Sequence, residues 1–308
     1  MTKFERICID QIPPYATIFF VLLSVIVFYL RSPVLFVDDD YFSSLYGVRR
    51  EHLKRVETSA ELFRRVKFVR IAARTYNEAV VFAVQDASKR PYCVLFPNRY
   101  AEAARLYTEA EPKIKTFIFN GMTAAQNVAA NNTVYVENDT ETDLYRAGLC
   151  AALLAKHYRP SYPEEIYEIL LYESGNFPET ARTAFGKVFE GNKEFNVQYI
   201  YSGGFGQPHR DGVVLWGQAL DFLHTQLDLT LPVILFSWLE PSYTPEYVKV
   251  IIDDSPLSVI PAVLKAAKKK PPDSNTIRIP SKFNIMQKHV NSLSLQFKLR
   301  RAFRAPLL

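Results

Sequence analysis

Cysteine and histidine are scarce in this chain: three and five among 308 residues. Three cysteines make no disulfide framework, and their spacing offers no zinc site. Cys8 lies in a short N-terminal flank, while Cys93 and Cys150 sit inside apolar runs and read as core thiols. The histidines are equally uninformative for catalysis, since His157, His209 and His224 have no nucleophile motif beside them. Charge of one sign is also in short supply. The net charge is only +5, with much of the excess in Lys268, Lys269 and Lys270 and in the end from Lys298 to Arg304. That pattern is no basic stripe for nucleic acid; it suits a solvated end or a contact with anionic lipid. Low-complexity segments and short repeats are absent.

Between residues 12 and 30 charge is missing altogether, and the run IPPYATIFFVLLSVIVFYL is rich in Ile, Val, Leu and Phe. Nineteen helical residues reach about 28 Å, close to the hydrocarbon core of a bilayer. The exit, Tyr29-Leu30-Arg31-Ser32-Pro33, lacks the small-x-small pattern of a signal-peptidase site, and no cysteine follows to take a lipid. The expectation is a flank over 1–11 and an uncleaved transmembrane anchor over 12–30, with membrane lipid as its partner. Lys3 and Arg6 precede the run and Arg31 follows it, which leans toward a cytoplasmic N-terminus. The remainder then faces the periplasm or the outside of a single-pass inner-membrane protein.

The rest of the chain is long enough for two compact lobes. Overall, 48% of residues are apolar and 14% aromatic, so a large core is available. Short apolar runs predict strands at 34–37, 68–72, 92–96, 116–119 and 133–136. A second series follows at 166–172, 197–201, 233–237, 248–252 and 276–279. Helical patterns fill the gaps at 50–65, 77–87, 101–110, 143–157, 179–190, 212–224 and 256–269. Strands alternating with helices of this length imply right-handed crossovers and parallel sheets. The strands are too many for one lobe. A boundary is expected near 138–143 or in the Pro-bearing stretch 159–163, giving an N-terminal α/β lobe over 33–140 and a C-terminal α/β lobe over 141–308. The latter carries a strand exchange near the hinge and a basic tail.

In the helix around 143–157, Ala147, Gly148, Ala151, Ala152 and Ala155 make a flank without bulk that allows close packing, with Asp143 or Thr142 as the cap. At the end, Leu293, Leu295, Phe297 and Leu299 alternate with polar residues and predict an amphipathic strand.

Ligands of parallel α/β sheets collect beyond the carboxyl ends of the strands. Polar groups beside aromatic rings recur at those exits, a mixture suited to a small polar ring-bearing ligand. A competing pattern is VLFVDDD with VIIDDS. Asp38 and Asp40 have the spacing of an Mg-dependent aspartyl-nucleophile phosphatase, and Asp253 and Asp254 would hold the metal. The residue two places after the second acid is Phe42, however, and neither the lysine nor the Ser/Thr motif of that chemistry is in evidence.

Three segments carry a resemblance. The strand KTFIFNG at Lys115–Gly121, the strand NTVYV at 132–136 and the helix DLYRAGLCAA at 143–152 resemble the basic membrane protein family. These are nucleoside-binding receptors of bacterial ABC importers with a two-lobed type 1 periplasmic-binding-protein fold. The stretch from Leu235, Phe236 and Ser237 through Tyr243, Thr244 and Pro245 to Val248 is similar to a late segment of that family, and 256–267 to its following helix. Ser237 stands where the family has aspartate, and 38–43 replaces its opening loop. The resemblance covers roughly 110–270. It implies two parallel-sheet sandwiches joined by a hinge, here behind a transmembrane helix, that close on a nucleoside-like or sugar-like ligand and present it to an ABC permease. No enzyme activity, cofactor, metal or nucleic acid is expected. The expected ligand contacts are Asp40, Phe42, Asn98, Asn120, Phe177, Phe205, Trp238 and Glu240. The alternatives are a non-transporting sensor or scaffold that kept the fold, and the phosphatase.

Overall fold

The computed structural model describes residues 14–39, 64–72, 74–121, 132–158, 166–173, 177–201, 212–216, 232–236, 244–253, 256–268 and 275–307. The run expected as an anchor holds helix α1, Pro14–Leu30, of 17 residues. Among the described residues no helix is long and apolar enough to cross a membrane. The side chains of α1 stand out from the protein, with Phe20 60% and Leu30 80% exposed.

The described strands form two six-stranded sheets. The first holds β1 (Val34–Asp39), β2 (Val66–Ile71), β3 (Cys93–Pro97), β4 (Lys115–Gly121), β5 (Thr133–Asn138) and β11 (Thr276–Ile279). Their order is β11-β5-β4-β3-β1-β2, every pair parallel. The second holds β6 (Tyr167–Glu173), β7 (Phe195–Tyr201), β8 (Gly212–Trp216), β9 (Val233–Phe236), β10 (Val248–Asp253) and β12 (Lys282–Ile285). Its order, β12-β10-β9-β8-β6-β7, repeats that of the first, except that β12 runs antiparallel to β10.

Burial explains the strand sequences. All six residues of β1 are buried, as a central strand covered on both faces requires. Val34 and Phe36 point into one cluster with Phe117 and Val259, and Leu35 and Val37 into another with Val80, Val84 and Tyr107. The second face is covered by α2 (Asn77–Ala87) and α3 (Ala101–Ala110), the first by α6 (Pro256–Ala267). Each fully buried Phe or Leu here contributes roughly 1.5–3 kcal/mol. On the second sheet, α4 (Thr140–Tyr158), α5 (Glu179–Lys187) and α7 (Leu293–Ala302) pack with Ile169, Leu171, Ile234, Val250 and Ile252. Gly148 brings α4 against α5: a Cβ there would stand 3.0 Å from Val188 and 3.2 Å from Phe185. The small flank thus serves a helix-helix contact.

The two lobes are not two consecutive segments. The chain leaves the first sheet at Asn138, returns after Asp253 to lay α6 and β11 on it, and crosses again from β11 to β12. The exchange therefore moves a helix as well as a strand.

Three local expectations need correction. Residues 293–299 are helical, not a strand: Leu295, Leu299 and Ala302 are buried at helical spacing, Leu293 and Phe297 are exposed, and Ser292 caps the start by accepting the Leu295 N–H at 3.2 Å. The stretch expected as a helix from 212 opens instead as β8, paired with β6 and β9; GVVLW carries strand-forming residues that outweigh the weak helical period. Neither Thr142 nor Asp143 caps α4. Asp139 does, accepting the Thr142 N–H at 3.2 Å and its hydroxyl at 2.8 Å. Most of the helix expected over 50–65 lies outside the described residues.

Candidate functional site

In the first sheet the chain winds outward to β2 on one side of β1 and to β3 on the other. The crevice beyond the carboxyl ends of β1 and β3 is therefore the switch point at which such sheets take ligands. Asp38 and Asp39 end β1, 5% and 2% exposed. At β3, Pro97 holds the backbone extended, and Asn98–Tyr100 form a single 3-10 turn that leads directly into α3. With no loop between, the asparagine and arginine stand at the strand end.

Strand alternation puts Asp39 on the face of Leu35 and Val37, where Tyr100 is also buried. The Tyr100 hydroxyl donates to Asp39 Oδ2 at 2.7 Å, and Arg99 Nη1 lies 3.0 Å from the same oxygen. The Asp39 side chain is fully buried and that of Arg99 32% exposed, so the arginine is the member that meets solvent. A buried carboxylate needs such donors. Burial, and then the bond to Asp39, push the Tyr100 hydroxyl well above its ordinary range. It stays protonated and acts as a donor. The cluster fixes the turn after β3 and orients a guanidinium at the crevice.

Of the expected contacts, Asn98 stands half-buried at this switch point. Asn120 lies in β4, where the register with β5 shifts between Phe119 and Gly121. Phe177 is corrected: at 3% exposure it belongs to the core with Phe185 and Phe189, and its ring packs there. Asp40, Phe42, Phe205, Trp238 and Glu240 lie outside the described residues. Asp38 and Asp253 lie in strands of different sheets, β1 and β10, while the other two acids of the phosphatase alternative, Asp40 and Asp254, lie outside the described residues. Burial holds the Cys93 thiol up to about 12 and pushes Cys150 well above its usual range, as core thiols require.

The crossings between sheets are tied to one another. The Asp139 N–H donates to the Ile279 carbonyl at 2.9 Å. Ser281, between β11 and β12, donates its N–H to Asp143 at 3.0 and 3.1 Å from the two carboxylate oxygens. Asp143 is 1% exposed, and burial outweighs the Ser281 bonds to push it up to about 7. Asp39, Arg99 and Tyr100 lie at strand exits that the sequence reading singled out, but it chose Asp40 and Asn98 there as the contacts. Inward alternation along β1 was the available signal. No local pattern joins Asp143 to Ser281, 138 positions away.

No protein-family model matches the chain, and no curated protein sequence matches it. Solved structures do. An ABC transporter solute-binding protein from Conexibacter woesei is 10% identical, over 90% of this chain and 98% of its own, with a TM-score of 0.53. An ABC transporter protein of the LacI transcriptional-regulator family from Brachyspira murdochii is 11% identical over 86% and 98%, with a TM-score of 0.49. A sugar-binding protein of a sugar ABC transporter from Bacillus halodurans is 11% identical over 84% and 99%, with a TM-score of 0.48. The likeness is one of fold, the α/β fold of type 1 periplasmic-binding proteins. The basic membrane protein family stays a resemblance.

Proposed function

We propose that the chain is a solute-binding receptor that closes two lobes on a small polar ligand and hands it to an ABC importer, without catalysis. The observation that supports this is the repeat of one strand order in two sheets, crossed by the chain at 138–140, 253–256 and 279–282, with Asn98 and Arg99 set at the first switch point. Crossings of this kind are where hinge closure pivots. The ligand is nucleoside-like in the basic membrane protein reading and a sugar in the reading that follows the solved neighbours. Asn98 and Asn120 supply hydrogen bonds from the first lobe, with Asp40 and Phe42 beside them. Phe205, Trp238 and Glu240 supply stacking and a carboxylate from the second. Helix α1, apolar and outward-facing, holds the receptor to lipid, on the outer side of an inner membrane.

The test is to purify the full chain without denaturation, extract any bound small molecule and identify it by mass. A nucleoside or monosaccharide supports the receptor, and which of the two is found chooses the class. Trp238→Ala should then abolish the ligand-dependent fluorescence change. A second reading, a sensor or scaffold that kept the fold, draws on the way Tyr100 and Arg99 already occupy Asp39. An empty protein that binds neither class of ligand would move the assignment there.

A further inference from the structure

We propose that the strand-start edge of the first sheet is a phospholipid-headgroup surface that rests on an anionic bilayer around the root of α1. This builds on the reading of α1 as a lipid tether. In an all-parallel sheet every strand begins at the same edge, and α1 leaves from that edge, three residues before β1. Its 17 residues reach about 25 Å, short of a hydrocarbon core of about 30 Å. A short apolar helix in lipid draws its flanking residues down to the headgroups, which seats this edge on the surface.

The root is built for that depth. Arg65 donates to the Tyr29 carbonyl at 2.9 Å and lies over the Tyr29 ring; Arg64 donates to the Ser32 carbonyl at 2.9 Å and lies over the Tyr92 ring, 3.7 Å from its centroid. Tyrosine with arginine is the pairing that membrane interfaces favour. Around it, Arg31, Lys89, Arg90, Lys113 and Lys268 are exposed in the segments that enter or end at this edge.

Helix carboxyl ends also gather here, and their dipoles explain part of the charge. Lys67 donates to the Ala87 carbonyl and Lys115 to the Ala267 carbonyl, at 2.6 and 2.8 Å. Those two are spent on helix ends. Lys89, Arg90, Lys113 and Lys268 form no ion pair with any described residue. Among the described residues the acids nearby are Asp86, Glu109 and Glu111, and Glu109 is paired with Arg105. The corresponding edge of the second sheet is closer to balance: among its described residues Lys187, Lys193 and Lys288 stand with Glu190, Glu194 and Glu246, Lys156 is paired with Glu194, and Lys249 donates to the Glu246 and His289 carbonyls. Among the described residues the larger excess of cations therefore lies on the edge that carries α1.

A cation close to an anionic surface is worth roughly a fivefold gain in partition. The full chain is floated with vesicles of phosphatidylcholine alone and with one third phosphatidylserine. Binding to both, tenfold or more tighter on the anionic vesicles, is expected, with the gain lost in 0.5 M salt. K89E/R90E/K113E should lose the gain and still float with neutral vesicles, while K187E/K193E, on the corresponding edge of the second sheet, keeps it. Equal binding to the two vesicle types overturns the headgroup surface and leaves the tether standing. Failure to float with either overturns both. Unchanged thermal unfolding of the variants in detergent excludes misfolding as the cause.

Discussion

Asp143 should make the stability of this protein fall as pH rises across the weakly acidic range. Its carboxylate is buried at the start of α4 and accepts the N–H and hydroxyl of Ser281. Burial pushes it up to about 7 from an ordinary 3.8, with the Ser281 bonds and Arg146 pulling down and Asp139 pushing up. The folded state thus holds the proton more tightly than the unfolded chain. The contribution is fully present below pH 4 and is lost as pH rises through about 7. The two affinities differ by about 4 kcal/mol at 1.36 kcal/mol per tenfold. Asp143→Asn keeps an acceptor for the Ser281 N–H and removes the titration. Relative to the natural chain, the variant should gain up to about 4 kcal/mol between pH 4 and pH 8. Urea unfolding of both proteins across that range measures the difference, in which contributions common to both proteins cancel. A difference that stays constant, or that grows toward low pH, would refute the reasoning.

Other residues give equally direct tests. Tyr100→Phe removes a donor from the buried Asp39 carboxylate and should cost about 1.5–3 kcal/mol in urea unfolding; an unchanged midpoint would mean that the acid does not depend on the Tyr100 hydroxyl. Ser292→Ala removes the α7 cap and should cost about 1 kcal/mol, with faster amide exchange at Leu295; exchange as slow as in the natural chain would argue against the helical end. Gly148→Val drives carbon into Val188 and Phe185 and should destabilise by about 1–3 kcal/mol. A thermal midpoint at or above that of the natural protein would show that α5 can yield.

The alternation of strands with helices was legible because several strands are apolar throughout and the helices 77–87 and 101–110 are well separated from them. Both helices begin and end where their periodicity does. Legibility failed where a short segment carries two periods. In 293–302 the exposed Leu293 and Phe297 masqueraded as half of an alternating strand, and only the packing of Leu295 and Leu299 on the second sheet chooses the helix. Phe177 looked like a ring in a polar loop, but the hydrophobic pull of Phe185 and Phe189 draws it inward. At the site, the polar strand ends were visible and their pairing was not. Asp39 meets Tyr100 across 61 positions of chain, and no local spacing encodes that distance.

The weaving of the chain between sheets has a consequence for synthesis. Tyr135 pairs with Thr276, so the first sheet cannot gain this strand until residues 276–279 have left the ribosome, long after β1 to β5. The apolar face formed by Val34, Phe36 and Phe117 waits as long for α6 to cover it. The earliest-made half is thus finished by some of the latest-made segments, and it spends translation as a sticky intermediate that calls for a chaperone's shelter.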